Sequence, residues 1–423
     1  MTTLTEADLK RNQYLLLFFF LYTTFQGALR KWVFMGESGV SDILFGLQLI
    51  MPFLILFAMK REKTIFSCKP LFPFALLLII MALNPMNHTL YHGFLGFIMH
   101  YGFWLIMLVY LNEREAFPLE KLIPILLIVC IAETILTFVQ FGLPTSHFLN
   151  RYEHAGEDEI AGFANDGGVR VIGTFSYISG YGSFLFFAGL FVWALMVEKK
   201  QLMPIILAMA GLGLVSSFMN GSRGVLLPYA LFVILGFLSY GSIVNKVKSI
   251  VLIVVLFAAV TISGMGGKFD FVGKSFTSFA QRVTSGQQTG EAQSRTEGIF
   301  AETFEFSGKF PLFGMGLGAT YQGATGKWGR APEVIAYGYY EEDPERVIIE
   351  GGYLLLLARI ALFVYLAHKM TVPLIYSIPT IFYMFFFTIF IFNAYQSAYV
   401  FFGLALLDKV YGKKNELQET DSP

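Results

Sequence analysis

The chain has 423 residues, of which 55% are hydrophobic, 17% aromatic and only 14% charged, a balance that excludes an ordinary soluble domain and describes a polytopic membrane protein. Lysine plus arginine and aspartate plus glutamate each number 30, so net charge gives no ground for a nucleic-acid partner or an acidic surface partner. Two cysteines, Cys68 near a predicted cytoplasmic end and Cys130 inside an apolar run, argue against a disulfide framework or a thiolate metal site.

A spanning helix needs about 20 apolar residues, and roughly twelve windows come near that length. They lie near 13–29, 40–59, 70–86, 92–112, 122–143, 176–198, 202–219, 224–243, 249–266, 347–367, 372–389 and 391–408. The first follows Lys10 and Arg11 without a small-residue cleavage site, and reads as an uncleaved signal anchor. The expected fold class is therefore all-α, a transmembrane bundle of about 12 spans. Residues 1–266 carry spans 1–9 with a loop near 144–176; 267–346 form a large external loop; 347–410 carry spans 10–12; 411–423 form a cytoplasmic tail. No internal repeat is visible, which weakens an inverted-repeat transporter reading.

Basic residues in short loops set the orientation, because Lys and Arg are retained on the cytoplasmic side. Lys10, Arg11, Lys60, Arg61, Lys63, Lys69, Arg114, Lys121, Lys199, Lys200, Lys246, Lys248, Lys369, Lys409, Lys413 and Lys414 all fall on one side of an even-numbered topology, so both termini are expected in the cytoplasm. The opposite side keeps Arg30, Lys31, Arg151, Arg170 and Arg223 in short loops, and these are the exceptions to explain.

Two external segments stand out. One, Leu143 to Ser176, is rich in Gly and acids; the other runs from Gly267 to Arg346 and is long enough to need short helices, with helical spacing from Ser294 to Phe306. GMGLG at Gly314 to Gly318 follows no predicted strand and reads as a tight turn rather than a nucleotide loop. Glu133 reads as a helix-packing hydrogen bond to a neighbour such as Thr134 or Gln140 in preference to a proton carrier. His88, His92 and His100 flank or enter an aromatic helix without supporting carboxylates, so interfacial packing is expected of them.

The external arginines occur beside small residues: GGVRVIGTFSYISGYGSF holds Arg170, NGSRGVLLPY holds Arg223, and AQRVTSGQQTGEAQSRTEGIF holds Arg282 and Arg295. A guanidinium fork beside glycine and serine amides suits the oxygens of a diphosphate. For each arginine alone, snorkelling to head groups or pairing with a loop acid is an equal alternative. Several on one side favour an anion site.

These landmarks also resemble a family. SSFMNGSRGVLLPYALF, RVIGTFSYISGYGSF, SRTEGIFAETFEFSGKFPLFGMGLGATY and ERVIIEGGYLLLLARIALFVYL, in this order, are similar to segments of the bacterial O-antigen ligase and O-antigen polymerase family, and QGALRKWVF is similar to a segment of some members. The resemblance covers about 165 to 365 and implies a membrane glycosyltransferase of the C-type superfamily in the bacterial inner membrane. It implies a donor glycan on undecaprenyl diphosphate, no metal or other cofactor, and a flippase and chain-length regulator as partners beside the lipid bilayer. Arg170, Arg223, Arg282 and Arg295 would hold the diphosphate, with Arg223 and Arg295 polarising it in catalysis. The ligase branch carries a histidine in the long loop before Glu-x-Gly; this chain keeps Glu350 and Gly352 but has no histidine between His154 and His368. In that place stands YYEEDPER, where Glu342 or Glu345 would accept the proton. The missing histidine favours a polymerase over a ligase, and a transporter or flippase is the alternative from another class.

Overall fold

A computed structural model describes residues 4–35, 38–63, 67–153, 169–198, 202–239, 312–321, 328–337 and 343–420, together with 284, 309, 323 and 324. The elements are α1 Glu6–Ala28, continued by a π-helical turn Leu29–Val33, then α2 Ser38–Ala58, α3 Leu71–Ala82, α4 Leu90–Asn112 and α5 Leu119–Phe141. There follow α6 Ile178–Glu198, α7 Met203–Asn220, α8 Arg223–Ser239, the short α9 Pro332–Tyr337, α10 Asp343–Lys369, α11 Leu374–Phe387 and α12 Ala394–Thr420. No strand occurs among the described residues. Helix is the only element that satisfies its own backbone in hydrocarbon, which is why apolar runs of this length adopt it.

Among the described residues, six helices are long and apolar enough to cross a membrane: α2, α4, α5, α6, α7 and α10. Three further apolar helices, α3, α8 and α11, are shorter. The window 249–266, the expected helix from Ser294 to Phe306 and nearly all of the long external segment before Leu312 lie outside the described residues.

The chain divides into two compact units. The first comprises Met1–Phe19, Leu47–Phe117 and Gly290–Phe401. At its centre α4 is largely buried, and Trp104 is enclosed edge-on by Phe74, Phe103 and Phe363 at ring-centroid distances of 6.5, 5.0 and 4.9 Å. Thr89 caps α4, its hydroxyl accepting from the His92 amide at 3.3 Å.

Within this unit α10 is not one rod. Gly352 sits at φ 60° and ψ −159°, a region open almost only to glycine, and splits α10 into a short arm before it and a long arm after it. In a straight helix Asp343 and Arg359 would lie about 24 Å apart. Instead the Arg359 Nη2 donates to Asp343 Oδ2 at 2.7 Å, so the short arm folds back along the long one. Backbone groups freed by the break are taken up by the glycine-rich segment from Leu312 to Thr320. Met315 and Gly316 amides donate to the carbonyls of Ile349 and Glu350 at 2.8 and 3.0 Å, and the Leu354 amide donates to Leu312 at 3.2 Å. A broken helix is tolerated at membrane depth only where neighbouring chain satisfies it in this way.

The GMGLG stretch is therefore a set of bends shaped to the break. At Gly318, with φ +78°, an added Cβ would stand 2.1 Å from the His92 carbonyl oxygen. Gly318→Ala is expected to cost about 1–3 kcal/mol from the backbone strain alone, measured as a lowered thermal midpoint in detergent.

The second unit comprises Phe20–Gly46, Pro118–Thr289 and Phe402–Pro423. Its axis is α6, whose apolar window is entirely buried, with α7 and α8 packed along it. On α5 the stripe Ile128, Ile131, Ile135 and Val139 is exposed while Leu126, Val129, Glu133, Thr137 and Gln140 are buried, the division of a helix with one face toward lipid.

Candidate functional site

The second unit gathers polar residues around the segment Arg170 to Ser176. The turn joining α7 to α8 is made by Gly221 in the left-handed region at φ 70°, its amide returning to the carbonyls of Ser217 and Phe218. Arg223 is the first residue of α8, a helix N-terminus whose first amides lack intrahelical acceptors. Arg170, half-buried, donates through Nε to the Asn220 carbonyl at 3.1 Å. The Asn220 side chain donates to the Val171 carbonyl at 3.0 Å, and the Tyr152 hydroxyl to the Arg170 carbonyl at 2.7 Å. Thus Arg170 and Arg223 are attached to one interhelical turn, although 53 positions separate them along the chain.

Arg30 and Lys31, exceptions to the charge rule, are held inside this unit. The π-helical turn Leu29–Val33 buries both consecutive residues. Arg30 pairs with Glu153 and donates to the hydroxyls of Ser41 at 2.9 Å and Ser176 at 3.2 Å. Lys31 donates to the Gly173 carbonyl at 2.6 Å. Burial pushes the Lys31 ammonium well below the ordinary lysine range, with the Glu133 carboxylate pulling the other way. These two side chains fasten Gly173 and Ser176, in the segment that Arg170 ties to the α7–α8 turn.

Glu133 is a hydrogen-bonding residue, but its partner is Thr174 rather than Thr134 or Gln140. Its carboxylate takes the Thr174 amide at 3.1 Å and the Thr174 hydroxyl. Thr134 instead returns to the Cys130 carbonyl, and Gln140 accepts from the Gly173 amide at 2.8 Å.

The first unit holds a separate polar cluster at the break in α10. Glu350, fully buried, receives four donors on its two oxygens: His100 Nε2 at 3.0 Å, Gly318 N at 2.8 Å, Thr320 N at 2.9 Å and Thr320 Oγ1 at 2.6 Å. A carboxylate so placed is an acceptor, so Nε2 of His100 carries the hydrogen. His100 Nδ1 has no hydrogen-bond partner among the described residues, and the ring meets Phe392 edge-on at 5.2 Å. At the other end of the short arm Asp343 pairs with Arg359, both fully buried, with the guanidinium 5.3 Å from the Phe385 and Phe390 rings and 5.9 Å from Phe363. Arg346 lies 5.1 Å over Phe392.

Of the sequence candidates, Arg170 and Arg223 are brought to one turn. Glu345 lies buried in the first turn of α10, whereas Arg282, Arg295 and Glu342 fall outside the described residues. The expectation of interfacial packing fails for His100, which is wholly buried and bonded to Glu350. His92 is buried as well and bonded to the Thr89 hydroxyl at 2.8 Å, with its ring 5.1 Å from that of His88 and 5.9 Å from that of Trp328. The His100–Glu350 pair was missed because the partners are 250 positions apart; the usable signal was an acid directly before two glycines at a predicted span entrance. Comparison of the chain with protein-family models, curated proteins and solved structures yields no match in any of the three.

Proposed function

We propose that this membrane protein is a glycosyltransferase of the bacterial inner membrane, a polymerase that joins undecaprenyl-diphosphate-linked repeat units at the periplasmic face. The observation that carries the reading is the attachment of Arg170 and Arg223 to one turn at a helix N-terminus. A diphosphate at the membrane lip needs several fixed donors of this kind. In the proposed topology both termini are cytoplasmic, about twelve spans cross the bilayer, and the segments near 144–176 and 267–346 face the periplasm.

In the proposed reaction an acceptor sugar hydroxyl attacks the anomeric carbon of the donor glycan. The new C–O bond forms as the bond to the diphosphate oxygen breaks, and the electron pair leaves with the diphosphate. Arg170 and Arg223, joined by Arg282 and Arg295, neutralise the charge that grows there. The hydroxyl proton passes to a carboxylate, for which Glu345 and Glu342 are the proposed acceptors. Asp343 and Glu350 are committed to the fold by their own partners.

One observation favours a second reading, a transporter or flippase. A broken helix with a buried charge pair is the construction on which transporters place substrates and coupling ions, and α10 has it at Gly352, Asp343 and Arg359. Turnover separates the two. Purified protein supplied with synthetic lipid-linked repeat units is expected to give a ladder of longer glycans; recovery of unchanged units together with uptake into liposomes would overturn the polymerase.

Arg223→Lys preserves the charge and removes the fork. The expected result is a loss of polymer of about 10²-fold with normal protein in the membrane, read on a gel of surface polysaccharide. Wild-type polymer in this variant would return Arg223 to lipid anchoring.

A further inference from the structure

We propose that Asn220, the last residue of α7, is the positioning residue that holds Arg170 ready for the donor diphosphate; this rests on the donor reading above. Asn220 is wholly buried and grips Arg170 at two points. Its main-chain carbonyl accepts from Arg170 Nε at 3.1 Å, while its side-chain Nδ2 donates to the Val171 carbonyl at 3.0 Å and to the Ile178 carbonyl at 3.4 Å. One bond fixes the guanidinium and the other fixes the backbone beside it, so the arginine is held at both ends.

Both bonds follow from where Asn220 stands. Gly221, in the left-handed region, ends α7, and the carbonyls of a helix's last turn have no intrahelical donor. The Asn220 carbonyl is one of these, at the negative end of the helix dipole, and a guanidinium is a donor that suits it. The orientation of the side-chain amide is set by its acceptors: turned over, Oδ1 would face two carbonyl oxygens. Oδ1 itself has no hydrogen-bond partner among the described residues, so the polar contacts of this side chain all go to the stretch from Val171 to Ile178.

An arginine on a flexible stem at a membrane edge otherwise snorkels toward lipid head groups. That freedom weakens a binding site, because a rotamer-rich side chain must be ordered each time an anion arrives. Asn220 orders it beforehand. The Tyr152 hydroxyl adds a third tie, to the Arg170 carbonyl at 2.7 Å, and burial of Val171 and Ile172 leaves the adjoining backbone little room to shift. Capping of α7 uses only the bond from Nε; the grip on the Val171 carbonyl is what also fixes the root of the arginine.

The test measures binding of inorganic pyrophosphate to the full-length protein in detergent, by calorimetry, for the wild type, Arg170→Ala, Asn220→Leu and the double variant. Asn220→Leu keeps the main-chain carbonyl but loses the amide, and is expected to bind about tenfold more weakly, the scale of ordering one freed arginine. Arg170→Ala is expected to weaken binding at least as much, and adding Asn220→Leu to it should change nothing further, because Asn220 acts through the arginine. A residue that merely supports the fold would lower the thermal midpoint and weaken binding equally in both backgrounds. Asn220→Ala carries the same comparison where leucine prevents folding. Wild-type affinity in the folded Asn220 variant, or additive losses in the cycle, would overturn the positioning role, while a weakened Arg170→Ala leaves the donor reading standing. Wild-type affinity in Arg170→Ala would reject the donor reading itself, and the role of Asn220 with it.

Discussion

Glu350→Ala is expected to lower the stability of the first unit by about 3–5 kcal/mol, the range for removing one partner from a buried ionic or hydrogen-bonded network. The carboxylate is the common acceptor of His100 Nε2, two backbone amides and the Thr320 hydroxyl. Alanine strands all of these donors in a buried site, and each stranded group carries its desolvation cost. Glu350→Gln keeps one carbonyl oxygen but turns an amide N–H₂ toward the remaining donors, so an intermediate loss is expected. His100→Leu removes a single donor and is expected to cost about 1–3 kcal/mol; His100→Gln, whose amide can still donate, restores much of that. Thermal unfolding in detergent should rank the variants in this order. Limited proteolysis adds a local readout: cleavage within Leu312–Thr320 is expected to accelerate first in Glu350→Ala, because that segment is docked on the broken helix through this carboxylate. A Glu350→Ala protein with wild-type midpoint and cleavage rate would refute the network.

The stretches that form helices were legible because hydrocarbon leaves the backbone little choice, and long runs of Leu, Ile, Phe and Met record that constraint residue by residue. Arg170 and Arg223 were singled out for a related reason: in the proposed topology their guanidinium groups break the charge asymmetry of short loops. What the chain pattern could not reveal was attachment at a distance. Nothing local to Arg170 announces that its Nε will find the carbonyl of Asn220, or that Arg30 and Lys31, adjacent in sequence, will both point inward because α1 ends in a π-helical turn. The break in α10 shows the same division. Hydropathy reads Val347 onward as an ordinary span, and a paired glycine within it is only a weak hint. The fold-back emerges from side chains 16 positions apart, whose attraction no periodicity expresses.

That pair supplies the second large effect. Arg359→Met leaves Asp343 as a buried carboxylate without its counter-charge and is expected to cost about 3–5 kcal/mol; Asp343→Leu, leaving the guanidinium, is expected to cost a similar amount. The double variant Asp343→Leu/Arg359→Met replaces both charges by apolar groups among Phe363, Phe385 and Phe390, and is expected to recover most of the loss. Arg359→Lys retains the charge but not the flat cation that the three rings surround, so it should fall between the single and double variants. A double-mutant cycle on the unfolding midpoint measures the coupling, and additive single effects would refute the fastening role. The recovered double variant also discriminates between the two functional readings. In the polymerase the pair only holds the short arm of α10 against the long arm, so a stable double variant should still extend lipid-linked glycans. In a transporter the buried charges are what the substrate or coupling ion answers to, so a double variant as stable as the wild type should have lost uptake altogether.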